Sequence, residues 1–223
     1  MERAVVLMSG GMDSCVAASR AARSYEVWAF HAKYGQRTEE RELKAFLDLC
    51  EYYKIPPSRR LISALPFYGI IGGSALLDRA MDVPEGDEGS PSTPSTYVPF
   101  RNAVLLSIAV AWAEVIGAKK VFIGAMEEDA AGYPDCRKGF IDSFNAMVGW
   151  GTKEGTDVEV VAPLINKKKA EVVREGVRLG APFHLTWACY SSSGPEPCMS
   201  CLSCLKRKRA FEEAGVQDPL LNK

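Results

Sequence analysis

The sequence predicts an α/β fold: a five-stranded parallel sheet with helices on both faces, plus a small C-terminal metal knot. Three observations predict it. Short runs of β-branched and aliphatic residues alternate with longer segments whose apolar residues recur at helical spacing. A loop rich in glycine and serine, Ser9-Gly10-Gly11-Met12-Asp13-Ser14, joins the first such run to the first helix. Four cysteines crowd a stretch containing glycine and proline near the C-terminus. A chain of 223 residues can bury a full core, so 1–223 are expected as one domain with a metal-binding segment over 189–204.

The elements follow in order. Ala4-Val5-Val6-Leu7-Met8 reads as a strand buried on both faces. Residues Cys15 to Ala22 contain helix formers and no glycine or proline, and they predict the first helix. Glu26 to His31 reads as the second strand, and Tyr34-Gly35-Gln36-Arg37 follows as a turn. Between Thr38 and Tyr53, Leu43, Phe46, Leu47 and Cys50 fall at helical spacing, and Pro56-Pro57 closes that helix. Arg60-Leu61-Ile62 is a short third strand, and residues 64 to 99 break the rhythm. Within them, Pro84 to Ser92 has loop composition. The apolar run from Asn102 to Ile116 predicts a buried helix stopped by Gly117. Lys120 to Gly124 is the fourth strand, and Phe140, Phe144, Met147 and Val148 mark an amphipathic helix. Val158 to Val161 is the fifth strand, Lys168 to Leu179 a helix ended by Gly180 and Pro182, and Cys204 to Ala214 the last helix.

Strand, glycine loop and helix in succession place unpaired backbone N–H groups and the positive end of a helix dipole at one point. Such a point binds phosphate oxygens. Adjacent glycines let the backbone approach a ligand, the hydroxyls of Ser9 and Ser14 add donors, and Asp13 can cap the helix or stand near magnesium. The lysine of a G-x-x-x-x-G-K-[ST] loop is missing, and so is the dinucleotide fingerprint G-x-G-x-x-G. The expected phosphate contact runs over Met8, Ser9, Gly10, Gly11, Met12, Asp13, Ser14, Cys15 and Val16. In an open parallel sheet, ligands sit off the carboxyl ends of the strands. The polar groups after each predicted strand are therefore the other candidates: Tyr34, Arg101-Asn102, the stretch Glu127 to Arg137, and Lys167 to Lys169.

Cys189, Cys198, Cys201 and Cys204 give C-x₈-C-x₂-C-x₂-C. Four thiolates with no open position make a structural zinc site; the competing reading of this spacing is a redox or persulfide-carrying Cys-x-x-Cys pair. Of the remaining cysteines, Cys15 and Cys50 read as small buried hydrophobes, and Cys136 is unassigned. His31 and His184 match no ligand spacing and are expected to pack or to touch substrate. Lys206-Arg207-Lys208-Arg209 reads as a solvated helix face.

Formal net charge is -1, and charged residues make up 25% of the chain. No bulk electrostatic argument therefore favours nucleic acid or an anionic membrane. No apolar run is long enough to span a bilayer, and the first strand begins almost at Met1, which predicts a chain without a cleavable leader. Seven cysteines with this clustering suit a reducing compartment, so a cytoplasmic protein is expected.

Several stretches carry a more specific resemblance: Ser9 to Ser14, Tyr34 to Arg37, Gly72-Gly73-Ser74-Ala75-Leu76, Tyr97 to Asn102, Gly132 to Arg137, Thr186 to Tyr190, and the cysteine cluster. Together they resemble the 7-cyano-7-deazaguanine synthase family of PP-loop ATPases over nearly the whole chain. The resemblance implies a Rossmann-like PP-loop ATPase fold and a ligase that uses ATP with magnesium. Its implied substrates are 7-carboxy-7-deazaguanine and ammonia, which become the nitrile through an adenylated acid and an amide. It further implies a structural zinc, a homodimer, and no direct nucleic-acid or membrane partner. Lys169 aligns with the family's lysine after the fifth strand, and with Arg101 it is expected to neutralise phosphate charge. Tyr34, Asn102, Asp129, Tyr133, Asp135 and Arg137 are expected around the deazaguanine. Lys169, Arg101 and Asp135 are the expected catalytic residues. Two departures stand out: Phe100 and Met199 occupy positions where the family commonly has glycine.

Three rival readings remain at this point. A PP-loop tRNA-modifying ligase or thiolase would need an RNA-binding element and free cysteines. An enzyme using the same acid with another amine has no distinguishing signature. A non-catalytic module built on the zinc knot would leave the phosphate loop without a purpose.

Overall fold

In the computed structural model, strands β1 (Arg3–Leu7), β2 (Glu26–Lys33), β3 (Arg60–Ala64), β4 (Lys120–Phe122) and β5 (Glu159–Val161) form one sheet. Its order is β3-β2-β1-β4-β5, and every pairing is parallel. The structure describes residues 1–86, 93–192 and 194–220. The loop reading of 87–92 and one position of the cysteine segment, residue 193, lie outside the described residues. Helices α1 (Met12–Ala21), α2 (Glu39–Tyr52), α3 (Phe67–Ile71), α4 (Arg101–Ile116), α5 (Lys138–Gly151), α6 (Lys169–Leu179) and α7 (Leu202–Ala214) complete the chain.

The period-2 alternation of β1 assigns the layers. Val5 and Leu7 point into a cluster with Leu106, Ala109 and Ala113 of α4 and Ile141, Phe144 and Val148 of α5. Ala4 and Val6 point the other way, onto Cys15 and Ala18 of α1 and Phe46, Leu49 and Cys50 of α2. Cys15 and Cys50 are thus small core residues, as their neighbours in sequence suggest. A third cluster packs α6 and α7 against α1 through Val16, Val172, Val173, Ala210 and Phe211. Both faces of β1 are buried, which is why the strand reads as an uninterrupted apolar run.

The chain winds outward from β1 through β2 to β3, then returns to pair β4 on the other side of β1. The crevice between the carboxyl ends of β1 and β4 is therefore the topological switch point. Gly124, just past β4, makes this crevice tight: a Cβ there would lie 2.8 Å from the Asp13 carbonyl carbon and 2.9 Å from the Ser14 nitrogen. The first turn of α1 thus rests directly on the β4 backbone.

The elements differ from expectation mainly at their ends. The first helix starts at Met12 rather than Cys15, because Gly11 takes an extended conformation and helix follows at once. Asp13 consequently lies inside the first turn and caps nothing. Helix α3 falls within the stretch that looked irregular; Ile70 and Ile71 are exposed, so it has no amphipathic signature. Helix α7 begins two residues before Cys204 and takes Cys201 as its N-cap.

Replacing Gly124 with alanine should push the start of α1 off β4. The expected cost is about 1–3 kcal/mol by urea unfolding. A variant as stable as the parent would show that this contact yields.

Candidate active site

A cavity of about 270 Å³ opens at the switch point. Its phosphate-loop wall is built by the end of β1 and the start of α1. Met8 hydrogen-bonds its backbone N–H to the Phe30 carbonyl at 2.8 Å, which extends the sheet up to the loop. Ser14 Oγ donates to the Gly11 carbonyl at 2.9 Å, and Ser9 Oγ accepts from the Gly11 N–H at 3.2 Å. Helix α1 starts with no side-chain cap. The N–H groups of its first turn are left for a ligand, and the helix dipole adds partial positive charge. Gly10 allows the turn: its φ is +87°, and a Cβ would lie 2.8 Å from the Glu42 carbonyl oxygen.

A chain of alternating charges borders this loop. Lys169 Nζ lies 2.7 Å from Asp13 Oδ2 and 2.8 Å from Asp129 Oδ2. Lys206 Nζ lies 3.0 Å from Asp129 Oδ1. Burial opposes the charge on Lys169, but the two carboxylates outweigh it and hold the ammonium well above its usual range. Burial likewise opposes the charge on Asp129, and the two lysines override it, holding the carboxyl below its usual range. Asp13 is raised, because burial outweighs its single lysine. Its Oδ1 is buried with no hydrogen-bond partner. An unpartnered carboxylate oxygen beside an anion-binding loop fits a magnesium ion, which is commonly held by one or two carboxylates plus phosphate oxygens.

The opposite end of the cavity is aromatic and polar. Arg101 donates to the Tyr34 hydroxyl at 2.8 Å, with its guanidinium 5.6 Å from the centre of that ring. Burial pushes the Tyr34 phenol up to about 12, with Arg101 opposing. Tyr133 bonds Thr96 Oγ1 at 3.0 Å and meets Tyr97 edge-on. Asn102, Cys136, Tyr190 and Trp187 also line the space.

The structure thus brings Met8, Ser9, Gly11, Met12, Asp13, Ser14, Tyr34, Arg101, Asn102, Asp129, Tyr133 and Lys169 to one cavity. It does not bring the rest. Gly10 acts from behind the loop, and Cys15 and Val16 face the core. Asp135 is buried and accepts the Asn102 backbone N–H on Oδ2 at 2.8 Å, capping the start of α4. Arg137 is exposed at the start of α5 and lines no part of the cavity. The expectation that Lys206 to Arg209 form a solvated face is corrected at two positions. Lys206 reaches into the site, and Arg207 is buried in a two-pronged pair with Asp218 at 2.6 and 2.8 Å. Lys208 and Arg209 do face outward, toward Glu212 and Glu213. His184 is exposed, whereas His31 packs on Phe46 with Nδ1 2.9 Å from the Met8 carbonyl oxygen. Glu42, Trp187, Lys206 and Arg207 were missed. Once α7 is known to start at Leu202, an i, i+4 count puts Lys206 on the face of Leu202, away from Cys204, and that face lines the cavity.

The sulfur atoms of Cys189, Cys198, Cys201 and Cys204 all lie within 4.8 Å of one another. A tetrahedron of sulfurs about 2.3 Å from zinc has edges of about 3.8 Å. Backbone N–H groups point at these sulfurs: Ser192 and Cys198 at Cys189, and Cys201 at Cys198, at 3.1 to 3.3 Å. Such donors offset thiolate charge, so the donor set fits zinc. The knot is tied to the phosphate loop. Trp187 donates its backbone N–H to the Gly10 carbonyl at 2.8 Å and its indole N–H to the Cys189 carbonyl at 3.1 Å. The Arg41 guanidinium covers the Trp187 ring at 4.2 Å.

The sheet order, the switch-point cavity and the uncapped glycine-serine loop define a PP-loop ATPase. The solved NMN synthetase of Francisella tularensis shares this fold, with a TM-score of 0.51 and 18% identity over 96% of this chain and 84% of that one. The family model described as "Queuosine biosynthesis protein QueC" matches residues 3–215, and the chain belongs to that family. It is 49% identical to the 7-cyano-7-deazaguanine synthase of Chlorobaculum parvum and 51% identical to that of Chlorobium chlorochromatii. Both alignments cover 98% of this chain and 95% of the relative.

Met199 sits in the knot with φ +64°, a conformation that costs a residue with a Cβ about 1–2 kcal/mol. Met199→Gly should therefore stabilise the metal-loaded protein by about 1 kcal/mol in chemical denaturation. An unchanged midpoint would mean that contacts of the Met199 side chain already offset the strain.

Proposed function

We propose that this chain is a carbon–nitrogen ligase that converts 7-carboxy-7-deazaguanine and ammonia to 7-cyano-7-deazaguanine at the expense of ATP. The observation that carries the reading is the partly buried Lys169–Asp129–Lys206 cluster beside an uncapped helix start, in a chain about half identical to synthases of that name.

The acid is a poor electrophile, because it is an anion and would have to expel oxide or hydroxide. In the first half, a carboxylate oxygen attacks the α phosphorus of ATP, the α–β bridging bond breaks, and pyrophosphate leaves. Ammonia then adds to the acyl carbon, and AMP departs with loss of one proton, leaving the amide. In the second half, the amide oxygen attacks a second ATP and again releases pyrophosphate. Loss of AMP and of the remaining N–H protons creates the nitrile. Both halves need an oxygen nucleophile in line with an α phosphorus, so one site serves both.

The N–H groups of Met12 to Ser14 and the two serine hydroxyls hold the leaving pyrophosphate. Magnesium would be held by Asp13 Oδ1 and phosphate oxygens, and it would neutralise charge as the bridging bond breaks. Lys169, already charged, stabilises the negative charge that grows on the leaving group. Fixed charges of this kind need no reorganisation during the reaction. Arg101, Tyr34, Asn102 and Tyr133 form the wall against which the deazaguanine lies. Asp135 holds Asn102 in place, a supporting role in contrast to direct substrate contact. Zinc would close the four-cysteine knot, and through Trp187 the knot would steady Gly10. A homodimer in the cytoplasm completes the reading. Among the described residues, no helix is long and apolar enough to cross a membrane.

Mass spectrometry of the protein with ATP, magnesium, ammonia and the acid tests this directly. Nitrile with AMP is expected; AMP without nitrile would mean another acid or another amine. Lys169→Ala should lower kcat/KM by about 10²- to 10³-fold while leaving the far-ultraviolet circular dichroism unchanged. A tenfold or smaller loss would remove Lys169 from transition-state stabilisation. Removing zinc with a chelator should raise the KM for ATP more than it lowers kcat. Retention of the parent KM by zinc-free protein would break the proposed link from the knot to Gly10.

A further inference from the structure

Three carboxylates line the cavity: Asp13, Glu42 and Asp129. Two of them are committed to cations. Asp13 is paired with Lys169, and Asp129 with Lys169 and Lys206. Asp135, the other nearby carboxylate, gives itself to the Asn102 backbone and does not reach the cavity. Glu42 differs from all of them. It sits on α2 and accepts from Thr38 Oγ1 at 2.7 Å on one oxygen and from Gln36 Nε2 at 3.0 Å on the other. Both donors are neutral and buried, and Gln36 is itself locked by the Tyr34 N–H at 2.9 Å. No ion pair to Glu42 exists among the described residues.

A carboxylate has about four lone-pair sites, and two are used here. The two neutral donors fix its plane, and the unused pair is left for a ligand with two adjacent N–H groups and no oxygen of its own at that edge. Arg101 and Tyr34 line the same cavity as donors. Two acceptors with donors alongside complement a base that presents a ring N–H, an exocyclic amino group and a neighbouring carbonyl.

We propose that Glu42, oriented by Thr38 and Gln36, is the specificity residue that reads the ring N–H and exocyclic amino group of the guanine-like substrate. The assignment rests on the function proposed above. It places the heterocycle toward α2 and leaves Asp13, Asp129, Lys169 and Lys206 to the phosphates.

The test compares the parent protein and Glu42→Gln with two acids, 7-carboxy-7-deazaguanine and its analogue lacking the exocyclic amino group. Steady-state AMP release is measured with each substrate varied in turn. The parent should disfavour the analogue by about 10- to 100-fold in kcat/KM, since a charged acceptor would lose its donor. In Glu42→Gln the KM for the amino acid-base should rise at least about tenfold, and discrimination should fall below about threefold. The KM values for ATP and ammonia should stay within about twofold of the parent's, because neither would touch Glu42. A rise in the KM for ATP or for ammonia in place of the acid would overturn the assignment, as would equal discrimination by both proteins. Glu42→Asp keeps the charge but withdraws it by one methylene, and it should discriminate less than the parent. Parent-like discrimination by Glu42→Asp would overturn the proposal even if Glu42→Gln failed to fold. Failure of the parent to turn over either acid would overturn the proposed function itself, and this assignment with it.

Discussion

Lys169 is a largely enclosed ammonium held between two carboxylates, and the geometry of the site depends on that arrangement. A charge removed from most of its water needs such partners to stay ionised. Here Asp13 comes from α1, Asp129 from the loop after β4, and Lys169 from the start of α6. The same contacts that keep the lysine charged therefore tie three separate chain segments to one point. Removing Lys169 would leave Asp13 without its cation and Asp129 with Lys206 alone, so the cluster is both a charge device and a clamp. The clamp sits where the winding of the sheet reverses, between the carboxyl ends of β1 and β4.

A second restraint comes from the C-terminus. Arg207 is buried, and its charge is met by the bidentate pair with Asp218 while it also donates to Thr186 Oγ1 at 2.6 Å and to the Phe183 carbonyl at 3.2 Å. Those bonds fix the 3-10 turn Phe183–Leu185 and the residue before Trp187. Trp187 in turn holds Gly10 through its backbone and the first cysteine of the knot through its indole. The route from Asp218 to the phosphate loop thus runs through hydrogen bonds joined by the Thr186–Trp187 peptide link. The four-cysteine knot is thereby tied to the glycine-rich loop, which has no side-chain cap at the start of α1 and draws part of its stiffness from this link.

What the sequence revealed and what it hid divide along a physical line. The strands were legible because both sheet faces are buried, and the phosphate loop because glycines and serines between a strand and a helix have few other uses. The family resemblance pointed to Lys169, Tyr34, Asn102 and Asp129, which line one cavity. It also pointed to Asp135 and Arg137, and here a motif word proved no guide to direction. Asp135 sits in a 3-10 turn, Pro134–Cys136, that aims its carboxylate at the backbone of α4, and Arg137 begins α5 on the solvent side. Lys206 and Arg207 were hidden in a run of four basic residues. A run gives charge but no phase, and only the packing of α6 on α7 decides that two of the four turn inward. Glu42 was hidden for the same reason, as one of several acidic residues on α2.

The two positions where glycine is common in the family show how this chain accommodates a departure. Phe100 has φ +55° and Met199 φ +64°, so both side chains are carried on left-handed backbone. Neither position is buried against backbone. Phe100 is 62% exposed and leans edge-on against Phe140 at 6.2 Å, and Met199 is 36% exposed. The cost of a Cβ at positive φ, about 1–2 kcal/mol, is therefore local and brings no clash. At Gly10 the same backbone conformation coincides with a 2.8 Å approach to the Glu42 carbonyl, and at Gly124 a tight approach occurs without unusual φ. Strain alone can be tolerated for a contact such as Phe100 on Phe140. A Cβ set against a backbone neighbour costs more, because a sheet or helix backbone can shift only by giving up packing. Glycine is replaceable around the rim of this site and irreplaceable at its centre, and the difference is set by what stands opposite the missing Cβ.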